Sequence, residues 1–133
     1  MPVITGEFEV KMRPEAMSEV AAESGVGRMS LDKIYHGALD ASGKGEMLAY
    51  MDRALGSGAY VAMELVRGTL DGRDGTFLLH HTGVMTRGAP GLAVKVVPDS
   101  GGGELAGLSG TLNIRIEGGK HYYDFDYALP AVA

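Results

Sequence analysis

The chain has 133 residues and carries 12 Lys and Arg against 17 Asp and Glu, a formal net charge of −5 with neutral histidines. That length suits a single domain over residues 1–133, and the acidic balance argues against a nucleic acid or an anionic membrane as partner. The chain contains no cysteine, which excludes a disulfide scaffold, a thiolate zinc site, an iron–sulfur cluster and a cysteine nucleophile. Since no basic region precedes an apolar stretch near residue 1, we expect a cytoplasmic protein.

Apolar and polar residues alternate along most of the chain with the period of two that is typical of β-strands. The segment 14–27 is the exception, because it is rich in Ala, Glu and Ser. It is expected to form one short helix over 15–22 or a mobile loop. The eight predicted strands are, in chain order, 4–12, 29–40, 46–51, 59–70, 76–86, 92–97, 111–117 and 120–129.

Glycine accounts for 21 residues, roughly twice the average share of about 7%. Many of these glycines lie between the predicted strands, where tight turns require positive φ. Others fall inside predicted strands, at Gly37, Gly68, Gly83 and Gly110, and indicate bends or bulges. The predicted turns are 42–45, 56–58, 71–75, 98–103 and 118–119.

Short connections between consecutive strands predict an antiparallel meander. A sheet of eight strands loses both exposed edges when it closes into a barrel, and a barrel of that size holds packed side chains or one small ligand. A β-sandwich is the alternative. We predict an all-β fold, an eight-stranded antiparallel meander β-barrel, because the spacing is hairpin-like throughout and no long crossover is evident.

The fourth and fifth predicted strands form a hairpin, for which a four-residue loop at 72–75 pairs Val66 with His81. One face of this hairpin is mostly apolar and small, so we expect it to line the barrel. That face also carries Glu64, which this register makes a diagonal neighbour of His81. A buried carboxylate must be paired or protonated. Glu64 is therefore interpreted as a solvent-facing residue, a structural ion pair or an acid–base group.

Other candidates lie on the same predicted interior. Lys33 and Tyr35 share a face of the second strand, while Tyr123 belongs to the aromatic face of the last strand, which is more typical of a core than of a binding platform. The candidate catalytic residues are Glu64 and His81. The candidate ligand-binding residues are Lys33, Tyr35, Tyr60, Glu64, Phe77, His81 and Tyr123.

The motifs of several common chemistries are absent from the sequence. The four histidines, His36, His80, His81 and His121, form no metal-binding motif, although a site assembled from different strands stays as an alternative. Neither a G-x-S-x-G nucleophile elbow nor a phosphate-binding loop that ends in Gly-Lys-Ser/Thr is found. We therefore predict no metal and no cofactor.

Ten segments together resemble a family of small bacterial proteins, the domain of unknown function 3224. This resemblance spans nearly the whole chain and implies a β-barrel similar to allene oxide cyclase, of the calycin-like kind. It implies no activity. The segments are GRMSLDK (27–33), HGAL (36–39), GEML (45–48), GAYVAME (58–64), VRGTL (66–70), GTFLLHH (75–81), MTRGAP (85–90), VPDSG (97–101), GELAGL (103–108) and YDFDYALP (123–130).

Three functional hypotheses follow. The first is a binding module that holds a small, mostly apolar molecule in the lumen. The second is an isomerase or cyclase that acts on a small apolar substrate there, with Glu64 polarising or deprotonating it and His81 or Lys33 assisting. The third is a packed barrel that serves mainly for oligomerisation through its outer wall. We expect a homo-oligomer, with a dimer favoured, and a lumen below about 300 Å³ would argue against the first two.

Overall fold

The computed structural model describes residues 3–130. Within that range lie nine strands and a single 3-10 turn, Glu19–Ala21. The strands are β1 (Val3–Glu15), β2 (Gly27–Tyr35), β3 (Leu39–Asp52), β4 (Ser57–Leu70), β5 (Arg73–Thr86), β6 (Ala89–Val96), β7 (Gly102–Gly103), β8 (Ser109–Glu117) and β9 (Lys120–Ala128).

Eight of these strands close into one antiparallel barrel. Around the barrel the order is β1, β2, β3, β4, β5, β6, β8 and β9, and β9 pairs with β1 to complete the ring. Strand β7 has two residues and pairs only with the start of β5. Each barrel strand lies beside the next one along the chain, so the predicted all-β fold and its meander topology are confirmed.

The barrel is packed at one end, which we call the closed end. There the inward side chains are fully buried, and the loop that follows β7 adds Leu105 and Leu108 to the same core. Apolar burial of this extent is the main stabilising contribution to such a fold. The core consists of Phe8, Tyr35, Leu39, Ala41, Val66, Leu70, Phe77, Leu79, Val94, Val96, Leu105, Leu108, Leu112, Tyr123, Phe125 and Tyr127.

The predicted register of the β4–β5 hairpin was wrong by four residues. The turn is the dipeptide Asp71-Gly72, with φ of 49° and 81°, so the loop has two residues rather than four. Val66 therefore pairs with Phe77, and Ala62 pairs with His81. Because side chains alternate with a period of two, an even shift leaves each residue on its predicted face.

One further local prediction was wrong, and one open alternative is decided. Residues 42–45 were expected to form a turn, but they lie in the middle of β3, and the chain reverses instead at 36–38 around Gly37, where φ is 105°. Of the two alternatives for 14–27, the helix over 15–22 does not form, because β1 continues to Glu15 and only the 3-10 turn Glu19–Ala21 follows. Between residues 3 and 130, no helix has the length and apolar character needed to cross a bilayer.

Candidate functional site

Three charged side chains are buried inside the barrel, and they touch one another. Glu64 is 0% exposed, His81 3% and Lys33 5%, and they are the buried polar or charged residues of the described chain. Oε1 of Glu64 accepts hydrogen bonds from Nζ of Lys33 at 3.0 Å and from Nε2 of His81 at 2.9 Å. Oε2 of Glu64 accepts a hydrogen bond of 2.5 Å from the hydroxyl of Tyr35. These four residues, which we call the Glu64 cluster, are all among the sequence-predicted candidates.

The local sequence makes room for this carboxylate. Gly43 lies between Lys33 and Val66 across the sheet, and Gly45 pairs directly with Glu64. A Cβ atom added to Gly43 would lie 2.0 Å from Oε2 of Glu64, far inside van der Waals contact. The two glycines that suggested a turn therefore serve a different purpose. Gly43 makes room for the Glu64 carboxylate, while at Gly45 an added Cβ would lie 1.8 Å from the backbone oxygen of Met63.

The electrostatic balance of the cluster favours an ionised carboxylate. Burial alone would raise the pKa of Glu64, but the hydrogen bond from His81, the charge of Lys33 and the hydrogen bond from Tyr35 outweigh it, so the pKa lies below its usual value. Burial and the adjacent Glu64 charge raise the pKa of Tyr35 well above its ordinary value. The ammonium of Lys33 also lies 5.3 Å from the centre of the Phe8 ring, a cation–π contact.

Since the carboxylate of Glu64 accepts its hydrogen bond, Nε2 of His81 carries the proton. Within residues 3–130 no hydrogen bond engages Nδ1 of His81, and no buried side-chain nitrogen or oxygen lacks a partner. The Nδ1 atom is therefore not fully enclosed, although His81 as a whole is only 3% exposed. It offers one polar contact at the edge of an otherwise satisfied cluster.

A cavity of about 410 Å³ lies at the opposite, open end of the barrel. Its lining is mostly apolar and comes from both faces of the wall, because Tyr50, Ala59, Val84 and Gly91 point outward. Tyr60 packs over Gly83, where an added Cβ would lie 2.2 Å from the Tyr60 ring. The inward-facing lining residues are Ala49, Met51, Gly58, Tyr60, Gly83, Met85, Pro90, Leu92 and Ile116.

This cavity begins two residues along β5 from the Glu64 cluster. Gly83 lines the cavity, and His81 lies two residues deeper on the same face of β5, next to Ala62. Residues two apart on a strand are separated by about 7 Å. The apolar wall of the open end and the polar cluster therefore form one continuous interior surface.

The barrel wall is weakly paired beside the cavity. Strands β6 and β8 pair at Lys95 and Thr111 alone, whereas β8 and β9 pair over nine positions. The cavity is lined by Leu92 of β6 and by Ile116 of β8. We call this weakly paired boundary the β6–β8 seam.

The other sequence-predicted ligand contacts lie elsewhere. Tyr60 lines the cavity, but Phe77 and Tyr123 are in the packed core. Phe77 stacks on Phe125 with ring centres 5.9 Å apart. The Tyr123 hydroxyl donates to the backbone oxygen of His36 at 2.7 Å and accepts from the backbone nitrogen of Leu39 at 3.2 Å. These contacts give both residues a structural role.

The sequence reasoning missed the methionines of the open end. Met29 and Met47 are a direct cross-strand pair, and the strand registers place Met12, Met51 and Met85 on the same interior face. These are five of the eight methionines of the chain. Methionine is flexible and adapts to irregular apolar partners, so its recurrence on the apolar faces was an available signal. Among the residues described, no three His, Asp or Glu side chains converge as a metal site.

Comparison with known proteins gives a consistent result. The family model described as "Protein of unknown function (DUF3224)" matches residues 4–127. Among solved structures, this chain is similar to a protein of unknown function from the DUF3224 family of Shewanella oneidensis MR-1, determined at 1.84 Å resolution. The two are 47% identical over 99% of each chain, with a TM-score of 0.91. No curated protein matches the chain.

Proposed function

The chain belongs to the DUF3224 family of proteins of unknown function, and we propose from its structure that it is a binding module for a small, mostly apolar molecule. The observation that carries this proposal is the cavity of about 410 Å³ at the open end, which exceeds the roughly 300 Å³ at the lower limit of drug-sized sites. Apolar walls with a few convergent polar groups are typical of such sites.

The proposed ligand lies against Tyr60, Met85 and Leu92, with His81 as its polar contact. Glu64 binds Nε2 of His81 and so fixes the ring with Nδ1 as the available atom. In this proposal Glu64, Lys33 and Tyr35 are positioning residues, because their polar atoms bind one another. The β6–β8 seam serves as the entrance.

The isomerase or cyclase hypothesis receives less support from the geometry. A general base needs a lone pair that reaches the substrate, yet Glu64 is fully buried and both of its oxygens accept hydrogen bonds from the protein. Catalysis inferred from the barrel shape would rest on fold analogy alone.

The absence of cysteine supports the cytoplasm as the compartment within this proposal.

The direct test is native mass spectrometry of the protein purified from its host without denaturing steps. We expect a mass increment of one small molecule per chain, which is lost on denaturation and can then be identified. The Leu92→Lys variant places a charge in the cavity wall and should lack the increment. A wild-type protein that carries no small molecule, or an increment that survives Leu92→Lys, would count against the proposal.

A further inference from the structure

The outer wall of the barrel carries an apolar surface, of which Tyr50 and Val84 also border the cavity. Large hydrophobic side chains of β3, β4 and β5 point outward and are exposed. They are neighbours across the sheet, since Leu48 pairs with Val61, and Tyr50 and Val84 both flank Ala59. We call this surface the apolar outer face, and it consists of Leu48, Tyr50, Val61, Met63, Leu65 and Val84.

The apolar outer face is corrugated rather than flat. Two grooves of about 380 and 320 Å³ cross it, and both are lined by Leu48 and Val61. Contiguous exposed apolar surface of this kind marks an interaction site in soluble proteins. Side chains of a partner with a similar pattern could fill these grooves, as facing sheets interdigitate in a β-sandwich.

One charge beside this face is already paired. Glu46 lies at its edge, and its two oxygens already accept hydrogen bonds of 2.7 and 2.8 Å from the guanidinium of Arg28. Covering the face therefore leaves that carboxylate paired, which avoids the large cost of an unpaired buried charge. The outer surface of β8 and β9 is different, because Arg115 and Asp124 form an ion pair there.

We propose that the apolar outer face is the interface of a homodimer. An isologous interface presents the same patch on both copies, so the patch must complement itself, and a face that is apolar and grooved, with a paired edge charge, meets this condition. Strand spacing gives the six residues a projected area of about 200 Å². A stable dimer buries about 800 Å² per partner, with an apolar centre and a polar rim. The patch is then the centre, and the rim consists of the polar outward residues of β2 together with His80 and Thr82 of β5.

The test measures the mass of the wild-type protein and of two matched variants by sedimentation equilibrium. Val61→Lys introduces a charge at the centre of the patch, where the side chain is 52% exposed. Val3→Lys introduces the same charge on β1, where Val3 is 60% exposed and lies outside the patch. We expect twice the 13.9 kDa chain mass for the wild type and Val3→Lys, and the single chain mass for Val61→Lys. Circular dichroism checks that both variants are folded.

A second measurement uses the wild type alone and does not depend on how the variants fold. Met63 and Met12 are 49% and 52% exposed in a single chain, so hydrogen peroxide should oxidise them at similar rates in a monomer. In the dimer Met63 is covered, and its oxidation should slow as the protein concentration rises, while that of Met12 stays constant.

A wild type that remains at the single chain mass, or a Val61→Lys variant that still dimerises, would overturn the proposal. Equal oxidation of Met63 and Met12 at all concentrations would do the same. Binding of the monomeric wild type to phosphatidylcholine vesicles, lost in Val61→Lys, would assign the face to a lipid surface instead.

Discussion

Glu64 and His81 lie on neighbouring strands without being directly paired, and a 2.9 Å hydrogen bond joins Oε1 of the first to Nε2 of the second. The bond is diagonal across the β4–β5 ladder, over the small side chain of Ala62. Because Lys33 binds the same oxygen, the carboxylate connects β2, β4 and β5 inside the barrel. Stability and the proposed ligand binding therefore involve the same group of residues.

Removal of the Glu64 charge should destabilise the fold strongly. Glu64→Gln leaves the buried ammonium of Lys33 without a counter-charge, for which we expect a loss of about 3 kcal/mol in the free energy of unfolding. The matched control is Glu46→Gln, which breaks the solvent-exposed pair with Arg28 and should have little effect on stability, because exposed ion pairs are screened by water. Urea denaturation measures both variants.

A Lys33→Met/Glu64→Gln double variant should recover part of that loss, because it removes the unpaired charge. If Glu64→Gln and Glu46→Gln lowered the free energy of unfolding equally, the buried Glu64–Lys33 pair would not stabilise the fold as we expect.

At pH values below the ordinary pKa of a Glu carboxyl, the free energy of unfolding should fall, because Glu64 becomes protonated. The folded-state pKa of Glu64 lies below the ordinary 4.5, so between the two values the unfolded state binds more protons. Its contribution to stability is then complete above about pH 4.5 and falls as the pH drops through the folded-state pKa. Carboxyl carbon shifts measured by NMR report this titration directly. A Glu64 titration midpoint above 4.5 would contradict this, and would instead fit a carboxyl that is kept protonated, as in an acid catalyst.

Gly43→Ala should be far more damaging than Gly27→Ala. The added methyl group at Gly43 collides with the Glu64 carboxylate, whereas at Gly27 the nearest atom is the Ala49 backbone oxygen at 3.9 Å. Forcing a group into a packed interior costs about 1–3 kcal/mol, and we expect Gly27→Ala to be neutral or slightly stabilising. Thermal denaturation of the two variants distinguishes these effects. A similar melting temperature for both would contradict the close approach of β3 to Glu64.

The barrel and its interior face could be predicted from the sequence, but details of the turns could not. Period-two alternation depends only on which residues face inward, so an error of four residues in the β4–β5 register left Glu64 and His81 together. Glycine was less informative, because Gly43 and Gly45 resemble turn residues in sequence, while Gly43 actually accommodates the Glu64 side chain and Gly45 the backbone of β4. That role depends on Glu64, about twenty positions away, which local pattern cannot reveal.

The division of the barrel into a packed end and an open end was also beyond the sequence. Phe77, Tyr123, Met85 and Tyr60 all share the interior face. Whether such a residue fills the core or borders a cavity depends on the strand lengths and on where β6 separates from β8. The family assignment expected from the sequence segments is confirmed.

The β6–β8 seam should control access to the cavity. Ala93 and Asn113 would be opposite each other if the ladder continued past Lys95 and Thr111, and a chain without cysteine permits a unique engineered disulfide there. Oxidised Ala93→Cys/Asn113→Cys should bind and release the fluorophore N-phenyl-1-naphthylamine more slowly than its reduced form in stopped-flow measurements. The control, Lys95→Cys/Thr111→Cys, bridges positions that already pair and should show little change. Equal rates in both redox forms of the first variant would exclude the seam as the entrance.

The central claim, a binding site for an apolar molecule inside the open end, is tested most directly by equilibrium titration with N-phenyl-1-naphthylamine. The comparison includes Leu92→Lys in the cavity and Val61→Lys on the outer wall, since both positions are about half exposed and receive the same charge. The account predicts saturable fluorescence enhancement at one site per chain in the wild type, abolished by Leu92→Lys and retained in Val61→Lys. No saturable enhancement, or a loss in Val61→Lys with retention in Leu92→Lys, would contradict it.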